Sequence, residues 1–137
     1  MRVGWATLCR YAEVNDGLAT MVGAGLDTYF VPGFPETIQV VVVFQLFGTQ
    51  QEMADEHELV FRIHDPAMNA AESPSVTFVG EPNPLALPGW EASTILVTAH
   101  VLPASAEGAY GIEIVVDGDS QNTVPFSVRG LASGDES

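Results

Sequence analysis

Apolar and polar residues alternate with period two along most of this chain, the pattern of half-buried β-strands. Over residues 2–11 the odd positions Val3, Trp5, Thr7, Cys9 and Tyr11 form one face, while Arg2 and Arg10 fall on the other. Asn15-Asp16-Gly17 predicts a turn, because Asn and Gly tolerate positive φ. A second strand is expected over Leu18–Ala24, interrupted by Gly25, and a short third one over Thr28–Val31. Residues 37–47 carry the strongest pattern. Ile38, Val40, Val42, Phe44 and Leu46 share one face; Val41, Val43 and Phe47 share the other with Thr37, Gln39 and Gln45. Two apolar faces predict a central strand whose second face is partly covered.

Residues 49–58 are polar and acidic and read as a loop with at most one helical turn. Alternation resumes over His57–Asp65, with Leu59, Phe61 and Ile63 inward, and again at Val76 and Phe78. Pro82, Pro84 and Pro88 exclude regular structure over residues 80–89. Ile95 to Val101 and Tyr110 to Val116 alternate once more, and Asp117-Gly118-Asp119-Ser120 reads as a hairpin turn. Val124, Phe126 and Val128 close the series; Pro125 among them predicts an edge or a bulge. About eight or nine strands with no convincing helix predict an antiparallel β-sandwich, immunoglobulin-like or a close variant. Glu107-Gly108-Ala109-Tyr110 resembles the start of a late strand in such sandwiches, where a Tyr hydroxyl pins the corner before it. One domain is expected over residues 1–129, with a flexible acidic tail over 130–137.

Charge narrows the partners. The 137 residues carry 18 acidic side chains against four basic ones, all arginine (Arg2, Arg10, Arg62, Arg129), for a formal charge of -14. The hydrophobic fraction of 47% is too high for a disordered acidic chain. So acidic a surface argues against nucleic acid or an anionic membrane as partner, since phosphate binding needs clustered Lys and Arg. The longest apolar run, Val40–Phe44, is far shorter than the ~18 residues of a membrane helix. The apolar stretch after Arg2 is broken by Gly4, Thr7 and Arg10, so it does not read as a signal peptide. A cytoplasmic soluble protein is the default expectation. A lone cysteine, Cys9, allows no intramolecular disulfide. In a strand it reads as a small buried hydrophobe.

Candidate chemistry is sparse. There is no Gly-x-Ser-x-Gly, no phosphate-binding Gly loop before a helix and no His-Glu-x-x-His, so no catalytic, cofactor or metal residue is assigned. Gly23-Ala24-Gly25 lacks a third glycine and reads as a bulge or turn in a strand. His57 and His64 lie seven residues apart on one strand and so face opposite ways. Asp117, Asp119 and Asn122, or Asp65 and Asn69, offer oxygens at short spacing that a calcium ion could use, and a plain solvated turn is the ordinary alternative. Glu113, between Ile112 and Ile114, needs a partner if its face is covered, and Arg62 or Arg129 could supply one. Phe34, in a Pro-Gly loop, and Trp90, after Pro88-Gly89, are candidate contact residues, together with Val41 and Val43 on the second face of the central strand.

The runs Leu8-Cys9-Arg10-Tyr11-Ala12, Asp16-Gly17 and Val22-Gly23-Ala24-Gly25 resemble the start of a family of small bacterial all-β proteins of unknown function, common in high-GC bacteria. The resemblance continues through Glu56-His57 and Asp65. It ends in Gly108-Ala109-Tyr110, Val116-Asp117-Gly118 and Val124-Pro125-Phe126. The chain departs from it at Pro66-Ala67-Met68-Asn69, where similar proteins have a Gly-containing turn. The resemblance implies an all-β sandwich and brings no catalytic residues. The expected role is therefore a non-enzymatic binding or assembly module with a protein partner or a second copy in a homodimer, and no cofactor. The rivals are a calcium- or carbohydrate-binding sandwich and a metal-dependent hydrolase. The carbohydrate reading depends on Trp90 and Phe34 sharing one exposed surface.

Overall fold

A computed structural model describes residues 1–81 and 83–131. Its strands are β1 (Arg2–Cys9), β2 (Tyr11–Asn15), β3 (Leu18–Val22), β4 (Thr28–Val31), β5 (Glu36–Gly48), β6 (Glu56–His64), β7 (Ala70–Glu72), β8 (Val76–Val79), β9 (Ala92–Ala104), β10 (Gly108–Val116) and β11 (Asp119–Gly130). A single-turn helix, α1 (Gln50–Ala54), links β5 to β6. Three sheets result. The first has the order β1-β5-β9, the second the order β4-β11-β10-β6-β7 with β8 also on β6, and the third is the β2-β3 hairpin.

The first two sheets face each other across one core. Ile38, Val40, Val42, Phe44 and Leu46 of β5, as the alternation predicts, pack with Leu8 of β1 and Leu102 of β9. Opposite them lie Leu59 and Phe61 of β6, Ile112, Ile114 and Val116 of β10, and Phe126 and Val128 of β11. Phe44 and Phe61 meet edge to face across the layers, with ring centres 5.9 Å apart, a favoured aromatic geometry. Pairing is antiparallel except that β4 runs parallel to β11 over four residue pairs, from Ser127↔Thr28 to Gly130↔Val31. The Tyr110 hydroxyl donates to the Ala106 carbonyl at 2.6 Å, so the corner before β10 is pinned as expected.

One expectation needs correction. The odd face of β1 does not stay inward. A bulge at Gly4 lets Val3 oppose Leu46 but Trp5 oppose Gln45, so beyond it Ala6 and Leu8 face the core. Trp5 and Cys9 therefore lie on the outer face of the first sheet, where the Trp5 Nε1–H donates to Gln45 at 2.6 Å. The second face of β5 is covered, as its two apolar faces predict, and the cover is the chain itself. The β2-β3 hairpin packs over β5 and β9, and Val43 is wholly buried and Cys9 nearly so. The strand β11 runs to Gly130, and the Leu131 N–H donates to Val31 at 2.8 Å. The rest of the expected tail, 132–137, lies outside the described residues.

The polar link after β5 is also built by local rules. Thr49 and Glu52 form a reciprocal capping box that starts α1. Met53 is fully buried against Gly80, where a Cβ would run into its sulfur. Among the described residues, no helix is long and apolar enough to cross a membrane.

Candidate interaction site

Each sandwich sheet has two edges, and exposed strand edges are sites of unwanted pairing unless the fold blunts them. Three of the four are blunted here. The edge strand β1 carries the Gly4 bulge, and its Leu8 carbonyl accepts the Gly25 and Leu26 N–H groups at 3.0 and 3.1 Å. The strand β4 has only four residues. The edge on β6 is broken into β7 and β8, with Ser73-Pro74 between them and Glu72 at the break.

The fourth edge, β9, is different. It runs 13 residues from Ala92 to Ala104, and among the described residues all of them pair with β5 on one side only. It contains no Asp, Glu, Lys or Arg, and its one proline, Pro103, is next to last. Backbone N–H and C=O groups on its free side are a ready template for another strand. Val101, on its outer face, is 70% exposed.

A groove of about 500 Å³ lies along this free edge, between β9 and β7. Its lining includes Ile63, Ala70, Ala71, His100 and Leu102 together with the acidic residues Asp65 and Glu72, and Glu72, paired opposite Arg62, turns its carboxylate toward that arginine at the sheet edge. That volume falls in the range of ligand-sized clefts. The His100 ring lies 4.4 Å from Phe61 and its Nε2 is 2.9 Å from the Thr98 hydroxyl. Burial pushes its pKa down, which keeps it neutral in the groove. Asp65 is held by its own turn: its Oδ1 accepts the Ala67 and Asn69 N–H groups, each at 2.9 Å.

Other candidate groups are engaged elsewhere. His57 is buried between two acceptors, with Nδ1 2.7 Å from Asp117 and Nε2 against the Glu52 carbonyl. Burial opposes its charge, but the Asp117 carboxylate, the Glu52 carbonyl and the Asp55 charge outweigh burial and raise its pKa. Asp117, at φ 51, also accepts the Glu58 N–H at 2.9 Å, so both its oxygens are committed to protein partners. Buried Glu113 meets Arg62 at 3.3 Å and His64 at 2.8 Å on the outer face of the second sheet. The Ser120 hydroxyl and His64, with Arg62, hold its pKa below the usual carboxylate range despite burial. Arg62, and not Arg129, is thus the partner of Glu113. Among the described residues, no three or more His, Cys, Asp or Glu side chains come together as a metal set.

The four expected contact residues do not form one surface. Val43 is buried, Val41 is half-buried, and Phe34 folds back onto the core, close enough that a Cβ on Gly130 would sit 3.1 Å from its ring. Trp90 is 56% exposed, but it precedes the β9 end that pairs with Gly48, whereas Phe34 precedes Glu36 at the opposite end of β5. The two aromatics therefore share no binding face, and the carbohydrate reading loses its basis. What sequence reasoning missed is the β9 edge. Its signal, a charge-free stretch from Ala92 to Ala104, was present but becomes meaningful only once β9 is known to be outermost.

A β-sandwich with one unguarded edge is the class that fold and site define. The chain matches a family of unknown function (DUF6941) over residues 4–129 and belongs to that family. No curated protein matches it.

Proposed function

We propose that this domain is a non-enzymatic binding module, working in the cytoplasm, that receives an extended segment of a partner protein as an added strand on β9. The observation that carries the reading is the edge itself: 13 residues, uncharged, unpaired on one side among the described residues and bordered by an apolar groove. Strand addition supplies affinity through main-chain hydrogen bonds and specificity through side-chain pockets, which is what an edge beside a groove offers. The geometry gives no comparable support to hydrolysis, because the oxygens of Asp117 are tied to His57 and Glu58.

Selection of a random 12-residue peptide library against the full chain tests this. Selected peptides should slow hydrogen exchange at the amides of residues 95–103, and Val101→Lys should weaken them at least tenfold. Peptides that bind without protecting β9 would overturn the reading.

A further inference from the structure

We propose, building on strand addition at β9, that the segment it takes is basic, with Lys or Arg side chains that reach Asp65 and Glu72 of the groove lining. Among the residues that line the groove, formal charge is of one sign, and the nearest cation, Arg62, lies outside the lining. The lining holds those two carboxylates and no Lys or Arg, and His100 is uncharged there. Neither carboxylate is fully used. Asp65 places both of its backbone donors on Oδ1, and Oδ2 has no protein partner among the described residues. Glu72 is 57% exposed at its side chain and meets Arg62 Nε only at 3.4 Å. Arg62 in turn reaches Glu113 on the outer face of the sheet, so its charge is shared between two acids. Glu72 Oε2 and Asp65 Oδ2 are the acceptors a cationic side chain would find.

The same arithmetic disfavours a second copy as occupant. Two β9 edges brought together would juxtapose four acidic lining residues and no basic lining residue, on chains that each carry -14. At that charge copies repel and a basic segment is steered in. Alternation along an added strand fixes the spacing: side chains at i and i+2 share one face. Apolar residues facing Ile63, Ala71 and Leu102 therefore alternate with residues on the other face, and the basic ones flank them near Asp65 and Glu72.

The test uses three nine-residue Val/Thr peptides on the full chain, identical except for two positions that hold Lys, Gln or Glu. A fourth is the Lys peptide N-methylated at alternate residues, which removes its strand-pairing N–H groups. Fluorescence anisotropy should rank Lys above Gln above Glu, with Lys about five- to tenfold tighter than Gln at low salt and nearly equal to it at 1 M salt. The double variant D65N/E72Q keeps the turn acceptor of Asp65 and should erase the Lys advantage while leaving the Gln peptide unchanged. If Lys and Gln peptides bind equally and both protect β9 amides, the basic preference is wrong and strand addition stands. If the N-methylated peptide binds as well as its parent, or if no peptide protects β9, strand addition itself fails.

Discussion

One long side of the sandwich is closed and the other is open. On the closed side β1 ends at Cys9, the chain doubles back through the β2-β3 hairpin, and Gly25 and Leu26 return to bond the Leu8 carbonyl. There β1 also touches β11, so the two sheets are joined by the chain's own packing. On the open side β9 and β7 stand apart with a groove of about 500 Å³ between them. Both sides descend from the same alternating pattern. What separates them is whether a later segment returns to cover the edge, and that is decided by topology.

The largest expected effect comes from cutting the core on each side. Leu8 and Leu102 are nearly equally buried, 1% and 3% exposed. Leu8→Ala leaves an enclosed void and should cost about 3–5 kcal/mol. Leu102 borders the groove, so the space left by Leu102→Ala opens to water and the loss should fall nearer ~2 kcal/mol. Urea unfolding of both variants measures this. Equal losses would mean that the two sides are packed alike.

A smaller effect is expected at the corner that leads into β10. Tyr110→Phe removes the donor to the Ala106 carbonyl and should cost about 1–2 kcal/mol, read from the denaturation midpoint at unchanged slope. A loss near zero would show that packing against Phe126, rather than the hydroxyl, holds the corner.

How much of this was legible beforehand depended on how local each cause is. The inward sets of β5 and β10 were readable because a period-two pattern needs only neighbours in sequence. Tyr110 was readable because its partner lies four residues away. The reversal at Gly4 was not, because a bulge is chosen by the register of the opposing strand. Three-residue β7, Ala-Ala-Glu, has too little apolar signal to announce itself. The link from His57 to Asp117 spans 60 residues, and only the fold brings the two together. The status of β9 as an edge has the same origin: its residues say strand, and only its neighbours say outermost.

That long-range link gives the next prediction. His57 has a raised pKa, so its contribution is complete below about 6.5, the unfolded value, and is lost as pH rises through the folded value. Asp117 has a lowered pKa, so its contribution is present above about 3.9 and is lost as pH falls through its folded value. The pair is strongest between those limits. Asp117→Asn keeps an oxygen for the Glu58 N–H and should lower stability by roughly 0.5–1 kcal/mol near pH 6, a figure held down by the half-exposed carboxylate. The deficit should shrink as pH rises toward 9. His100, pushed the opposite way by burial, destabilises on acidification in both proteins and drops out of the difference. A deficit that does not change with pH would remove the charge from the link.

The smallest effect on stability should come from Val101→Lys, because the side chain is 70% exposed and points away from the core. A change within about 0.5 kcal/mol is expected. Its effect on association should be large, and salt reveals it. An uncharged 13-residue edge invites pairing between copies, yet each copy carries -14. Repulsion of that size acts only over the Debye length, about 10 Å at 0.1 M salt and 3 Å at 1 M. Light scattering should therefore find a monomer at low salt and growing association at 1 M salt in the parent chain. Val101→Lys should stay monomeric at both, since a lysine on the edge is the device natural strands use against pairing. The acidic coat then has a second role beside solubility: it guards β9 from its own copies while leaving it open to a segment of opposite charge. A parent chain that remains monomeric at 1 M salt and high concentration would show instead that β9 is protected by its own twist or by the hairpin above it.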